Sequence, residues 1–145
     1  MKRIVVGVDG SEGSRVALQW ALEEAAATGS EVVPVLAYDA GLAWIDIGSD
    51  YEASMIKRAA EKAHREIHAV VDAFDTDALG VTLHPLVIEG LPPDALVEAA
   101  RGADLLVVGN RGRGGFAGLL LGSVSQRCVE RSPCPVVVVP SSGRG

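Results

Sequence analysis

The sequence of 145 residues lacks the features of a disulfide-stapled, zinc-knuckle or membrane-spanning protein. Its only two cysteines, Cys128 and Cys134, do not have the C-x-x-C spacing, which argues against both a disulfide framework and a metal knuckle. No apolar run approaches the length of about 18 residues that a membrane helix requires. The N-terminal MKRIVVGVDG reaches an acidic residue too early for a signal peptide, so we expect a cytoplasmic protein with no membrane partner.

Positive charge is scarce overall and is concentrated in one segment. The net charge of −6 argues against nucleic acid as a partner. Residues 101–131 are the exception, because this segment has five arginines and only two acidic residues, Asp104 and Glu130. The arginines are Arg101, Arg111, Arg113, Arg127 and Arg131. This basic segment surrounds the glycine-rich stretch VVGNRGRGGFAGLLLGS at residues 107–123. A small anionic ligand fits the pattern better than a charged polymer.

Short runs rich in β-branched residues alternate with longer amphipathic segments, which is typical of βαβ units and a parallel sheet. Strands are predicted at 3–9, 31–38, 81–90, 104–109 and 135–140, and helices at 14–29, 51–74, 92–102 and 123–131. Pro34 and Pro85 interrupt the second and third predicted strands. Because proline donates no hydrogen bond to a ladder, at most one of these two strands need be an interior strand without a bulge. We predict one α/β domain over residues 1–140, a doubly wound three-layer sandwich with five strands and four helices, and a short flexible tail at 141–145.

The glycine-rich stretch leaves the fourth predicted strand and enters the last predicted helix. Ligands of parallel α/β sheets bind beyond the carboxyl ends of the strands. Glycines let backbone amides approach an anion, and a helix N-terminus offers unpaired N–H groups. Ser123 with Gln126 fits a capping box, so Ser123 is expected to be the N-cap, either with or without a ligand contact. The stretch therefore predicts a phosphate site, to which Arg111 and Arg113 could contribute charge.

Three known phosphate loops do not fit the stretch. A Walker loop requires a lysine where Gly115 stands, and the only lysines are Lys2, Lys57 and Lys62. A dinucleotide fingerprint can be placed on glycines 112 and 114 with an alanine at 117, but no acidic residue follows the next strand to bind a ribose. A kinase glycine loop requires strands on both sides and a catalytic loop for which the chain is too short.

The spacing that fits is Gly109, two residues, Gly112, nine residues, and then Gly122-Ser123. Together with VVGVDGS near the N-terminus, DLLVVG, and the closing PCPVVVVP, it resembles the universal stress protein family, specifically its ATP-binding branch. The resemblance extends from Arg3 to Pro140. It implies a five-stranded sheet of order 3-2-1-4-5, binding of ATP, and homodimers that pair through the last strand.

The resemblance also implies which residues bind the nucleotide. At the strand ends these are Gly7, Val8, Asp9, Ala37, Val108 and Gly109, with Ala37 near the adenine. In the glycine-rich stretch and the following helix they are Asn110, Arg111, Gly112, Arg113, Gly114, Gly115, Gly122, Ser123, Val124 and Ser125. Asp9 could orient Mg²⁺ or Mn²⁺ on the triphosphate, or simply begin the turn DGSEGS that caps the first helix.

No other constellation predicts a metal site or a catalytic residue. His64 and His68 stand one helical turn apart but lack a third ligand, so a solvated helix face is the preferred interpretation. No G-x-S-x-G elbow occurs, and no paired carboxylates accompany a nucleophile. We therefore assign no metal ligand and no catalytic residue, and expect little or no ATP hydrolysis.

Several functions remain compatible with the sequence. The preferred one is an ATP-binding stress-response sensor or regulator. The alternatives are a slow ATPase or phosphotransferase, a protein that binds cyclic AMP or AMP, and a dimeric scaffold that needs no nucleotide. The last strand is apolar on both faces and would be an unprotected sheet edge in a monomer, so a homodimer is expected to pair through Val136, Val137, Val138 and Val139.

Overall fold

A computed structural model describes residues 2–39, 49–110 and 121–141. The strands are β1 (Arg3–Gly7), β2 (Glu31–Tyr38), β3 (Leu86–Glu89), β4 (Leu105–Gly109) and β5 (Val136–Val139). The helices are α1 (Glu12–Thr28), α2 (Ser49–Val71), α3 (Thr76–Leu79), α4 (Pro92–Ala99) and α5 (Ser123–Arg131). The described residues thus form five helices, and the predicted number of four was wrong because the single turn α3, which Asp75 caps, was not recognised.

The five strands form one parallel sheet of order β3-β2-β1-β4-β5, which confirms the expected topology. The two core clusters place α1 and α2 on one face of the sheet and α4 and α5 on the other, which is the arrangement that right-handed crossovers produce with this strand order. Along β1, Ile4 and Val6 pack under α1 and α2, while Val5 belongs to the cluster under α4 and α5. The central strands are buried on both faces, which explains why their sequences read as continuous apolar runs rather than as alternation.

The two prolines lie opposite each other at an interruption between β2 and β3. β2 is an interior strand, whereas β3 is the outer strand of the described sheet. Val32 forms an isolated bridge with Leu83, and regular pairing resumes at Val35 with Leu86, so this register aligns Pro34 with Pro85. Val32 donates to the Thr82 carbonyl and accepts from the His84 amide, so the next bond of this ladder would require an N–H on residue 34, which a proline lacks. β3 therefore begins at residue 86 rather than at the predicted 81.

Two helix ends have residues that favour those positions. Helix α1 ends at Gly29, whose φ of 73° is in the left-handed region that glycine adopts without strain. Helix α4 begins at the predicted residue with Pro92 and Pro93, has Asp94 in its first turn, and ends at Ala99 rather than at the predicted 102. In the part of the chain that the structure describes, no helix is both long enough and apolar enough to cross a membrane.

Candidate functional site

The carboxyl ends of β1 and β4 are neighbours at the point where the order of the chain in the sheet reverses. Val6 pairs with Val107, so residues 7–9 and 108–110 leave the sheet side by side. From there the chain continues to β2 on one side and to β5 on the other. This is the crevice in which open α/β sheets bind their ligands, and it brings together the strand-end residues predicted from the sequence.

The turn from β1 into α1 is held by three polar side chains. Asp9 Oδ1 accepts a hydrogen bond from the Ser11 amide at 2.8 Å, and Ser11 caps α1 by accepting from the Ser14 amide at 3.2 Å. The hydroxyl of Ser14, a residue only 5% exposed, accepts from the Asp9 amide at 3.2 Å and donates to the Ser11 carbonyl at 3.1 Å. Asp9 therefore has the turn role that the sequence allowed.

Gly7 and Val8 contribute packing at this strand end. A β-carbon on Gly7 would stand 2.8 Å from Leu96 Cδ1, so the absence of a side chain lets α4 approach the sheet. Val8 is 4% exposed in the core on the α1 side, and its amide donates to the Val35 carbonyl at 2.9 Å. The sequence predicted both as ligand contacts and did not reveal the packing of Leu96 on Gly7.

Asn110 joins three elements at the end of β4. Its amide donates to the Val139 carbonyl at 3.0 Å, and its carbonyl accepts from the Gly122 amide at 2.6 Å and the Ser125 hydroxyl at 3.1 Å. Its side-chain oxygen accepts from the Ser141 amide at 3.1 Å. Both ends of the glycine-rich stretch thus meet at one residue, next to the end of β5. The predicted phosphate contacts Arg111, Gly112, Arg113, Gly114 and Gly115 lie outside the described residues.

The predicted capping box on α5 is wrong. The N-cap is Gly122, with φ −74° and ψ 172°, and Ser123 is the first residue of the helix with an exposed side chain. Gln126 donates its backbone amide to the Gly122 carbonyl at 3.0 Å, as an ordinary helix residue does. A serine next to the helix start suggested the cap, but the Asn110 carbonyl fixes Gly122 there instead. Within the described ranges no side chain caps α5. The first N–H groups of a helix have no partner within the helix itself.

The three helix residues predicted to bind phosphate differ in exposure. Ser125 is 3% exposed and donates its hydroxyl to Asn110. Val124 is half-buried and packs on the cluster that contains Cys128. Ser123 is exposed, so among these three it has the side chain that a ligand at the helix start can reach.

A groove of about 210 Å³ lies at the carboxyl end of β2, where the sequence placed the adenine. On the strand side it is lined by residues 36–39, among them Ala37, and on the helix side by Ala59, Lys62, Ala63 and Glu66 of α2. Lys62 and Glu66 approach each other to 3.9 Å at its rim. A floor of small apolar residues with a charged rim can hold the flat apolar face of a base and the polar edge that faces solvent.

Titratable groups elsewhere in the described part do not form a second centre. Cys128 and Cys134 are free thiols, and burial raises the pKa of Cys128 to about 11 against the opposing attraction of Arg131. The thiol therefore stays protonated and packs as an apolar group. His64 and His68 are both exposed on α2. The described residues contain no group of three or more His, Cys, Asp or Glu that could hold a metal ion.

Comparison with known proteins agrees with this geometry. The sequence model of the universal stress protein family matches residues 1–140. The chain belongs to the universal stress protein family. This confirms the resemblance inferred from the glycine spacing, and the observed strand order is the one that the resemblance implied.

The relatives of this universal stress protein include both short and long chains. A universal stress protein of Thermus aquaticus, named for the QAH/OAS sulfhydrylase 3′ region, is 36% identical over 143 residues, which cover 95% of this chain and 98% of the relative. One from Mycolicibacterium smegmatis is 35% identical over 137 residues, covering 94% of this chain but 45% of the relative. The chain thus spans about half the length of some of the family members that it matches.

Among solved structures, a universal stress protein in complex with cAMP is 33% identical to this chain and superposes with a TM-score of 0.63. The match covers 97% of this chain and 98% of that one. The similarity therefore includes the whole sheet and the residues at its carboxyl edge.

Proposed function

We propose that this universal stress protein is a cytoplasmic, homodimeric stress-response regulator that binds an adenine nucleotide, ATP in the first place, between the carboxyl ends of β1 and β4. The observation that carries the proposal is the first turn of α5, which has no side-chain cap among the described residues and which Asn110 fixes next to the switch point. A relative of 33% identity solved with cAMP supports an adenine nucleotide as the class of ligand.

The phosphates are the part of the ligand for which the site is best suited. The amides of Ser123, Val124 and Ser125 lie in the first turn of α5, where a helix has unpaired donors and a partial positive charge. Glycines 109, 112, 114 and 115 allow the backbone to approach an anion closely, and Arg111 and Arg113 add charge. In this proposal the base lies toward the groove that Ala37 lines.

A divalent ion fits the site only as a partner of the nucleotide. Mg²⁺ is usually held by one or two carboxylates together with substrate phosphates, and Asp9 supplies one carboxylate at the end of β1. Mg²⁺ or Mn²⁺ would neutralise phosphate charge there, while Asp9 remains oriented by its bond to the Ser11 amide.

The residues are better suited to holding ATP than to hydrolysing it. Phosphoryl transfer depends on charge stabilisation by lysine, arginine and metal and on a residue that positions the attacking water. The sequence has no lysine between Lys62 and its end, and Asp9 is the one candidate base that we can name. Contacts that are equally strong in the ground state and the transition state do not accelerate the reaction.

Cyclic AMP or AMP is the second candidate ligand, and the cAMP complex of the similar protein favours it. All three ligands share an adenine and a phosphate next to the ribose. Only ATP has the β- and γ-phosphates that could extend along the glycine-rich stretch and its arginines. Calorimetric titration of the purified protein with ATP, AMP and cAMP therefore decides between them, and we expect ATP to bind most tightly.

The edge of the sheet supports self-association. β5 is the outer strand, Val137 and Val139 pack on the α1 side, and Val136 and Val138 pack on the α5 side. The carbonyls of Pro135 and Val139 accept bonds from β4, so in a parallel ladder the N–H and C=O groups of Val136 and Val138 point outward. Antiparallel pairing with a second β5 would satisfy them.

A charge at the start of α5 tests the nucleotide site. Ser123→Asp puts a carboxylate beside the proposed phosphate, while an acidic residue in a first helical turn is favourable for the fold. Like-charge repulsion should lower ATP affinity about ten-fold or more, with an unchanged or slightly raised melting temperature. Ser123→Asn is the matched control, because it has the same shape without the charge and should bind ATP normally. Equal ATP affinity of Ser123→Asp and Ser123→Asn would refute the phosphate site.

A further inference from the structure

Asn110 connects the proposed nucleotide site with the edge strand through separate groups. Its carbonyl accepts from Gly122 and Ser125 at the start of α5. Its amide donates to Val139 of β5, and its side-chain oxygen accepts from Ser141, two residues after β5. The side chain therefore holds the polypeptide beyond the edge strand, and the backbone holds the helix start at the site.

We propose that Asn110 is a positioning residue that couples nucleotide binding to self-association of the protein through β5. The inference rests on the proposed function, since it requires both the nucleotide site at α5 and the pairing of β5. The second copy of this chain is the partner whose affinity the nucleotide changes.

The coupling follows from the geometry of the two peptide groups that meet at the Asn110 Cα and of the Asn110 side chain. A phosphate at the first turn of α5 favours the arrangement in which Gly122 and Ser125 donate to the Asn110 carbonyl. That arrangement fixes the peptide group after Asn110, and through the Cα of Asn110 it restricts the preceding peptide, whose amide bonds to Val139, and the side chain that bonds to Ser141. The carboxyl end of β5 then stays aligned with the sheet, and this is the conformation to which a second β5 can pair. Nucleotide binding thus lowers the free-energy cost of ordering the end of β5 when two copies of the protein pair.

Thermodynamic linkage requires that self-association in turn increases the affinity for the nucleotide. Because the homodimer has two nucleotide sites, the factor by which saturating nucleotide strengthens the dimer equals the product of the factors by which pairing strengthens nucleotide binding at the two sites. A single hydrogen bond is worth a factor of about five in an equilibrium constant. We therefore expect saturating nucleotide to lower the dimer dissociation constant about five-fold.

Two substitutions at residue 141 isolate the bond to the Asn110 side chain. Ser141→Pro removes the N–H that Asn110 accepts, and Ser141→Ala keeps it while removing the hydroxyl. Residue 141 lies outside both β5 and the proposed nucleotide contacts, so neither change touches the ligand or the ladder between β4 and β5. Sedimentation over a range of protein concentrations, with and without saturating ATP, gives the dimer dissociation constant of each protein. Calorimetry at low protein concentration gives ATP affinity of the monomer.

The expected result is a shift of about five-fold with ATP in the wild type and in Ser141→Ala, and a shift below about two-fold in Ser141→Pro, with the same monomer affinity for ATP in all three. A purely structural role of the bond would weaken the Ser141→Pro dimer equally with and without ATP, and that outcome overturns the inference. ATP binding without any shift in the wild type also overturns it and leaves the proposed nucleotide site intact. Absence of ATP binding in calorimetry instead refutes the proposed function, and the inference with it.

Discussion

The buried thiol of Cys128 should make the protein lose stability at alkaline pH. Cys128 is 0% exposed on the inner face of α5, in the cluster that includes Leu106 and Val108. Burial raises its pKa from 9.0 to about 11, and Arg131 opposes the shift. Because the folded protein holds this proton more tightly than the unfolded chain does, the stabilisation is complete below pH 9 and is lost as the pH rises from 9 toward 11. A shift of about two pKa units corresponds to a contribution of roughly 2 to 3 kcal/mol to the free energy of unfolding.

Urea unfolding of the wild type and of Cys128→Ala, each at several pH values between 8 and 11, measures this contribution. The variant is less stable than the wild type at pH 8 because it leaves a small cavity under α5. That difference in the free energy of unfolding should shrink by about 2 kcal/mol by pH 11, since the variant has no thiol at residue 128 to ionise and the other titrating groups cancel. A difference that stays constant over this range would refute the argument that burial holds the proton on Cys128.

Two further outcomes follow from the edge strand and from the nucleotide site. Val138→Pro removes an outward N–H of β5 without removing a bond to β4, so it should shift the protein toward monomer in sedimentation, whereas Val138→Ala should remain associated. A wild type that is monomeric at tens of micromolar, the order of magnitude at which modest interfaces form, would contradict the homodimer. In a single-turnover assay with labelled ATP and Mg²⁺ or Mn²⁺, phosphate release should be well below the roughly 1 s⁻¹ of slow enzymes. Release at several per second that Asp9→Ala abolishes would show instead that the protein is an enzyme.

The candidate site could be predicted in outline because its signals are local in the sequence. The glycine spacing around Gly109 and Gly122, the preceding apolar strand and the following helix are all read along one stretch of chain. The role of Asn110 could not be read in this way, because its partners Val139 and Ser141 are about thirty residues away and reach it only when β5 lies beside β4. The N-cap of α5 was misassigned for a related reason. Helix starts are recognised by a side chain that caps them, and Gly122 is held by a carbonyl of another element instead.

By itself the sequence determined the alternation of the strands with the four longer helices, the end of α1 at Gly29 and the basic glycine-rich stretch, because each depends on periodicity, backbone freedom or charge over a few neighbouring residues. Tertiary structure alone decided that Pro34 and Pro85 face each other, that Leu96 fills the space above Gly7, and that Ser125 turns its hydroxyl inward. Those outcomes depend on strand register and on the distance between layers, which are set by packing of residues far apart in the chain. Burial of Cys128, and with it the raised pKa, has the same origin: the sequence shows a thiol on a helix, and only the sheet beneath it removes the water that would solvate a thiolate.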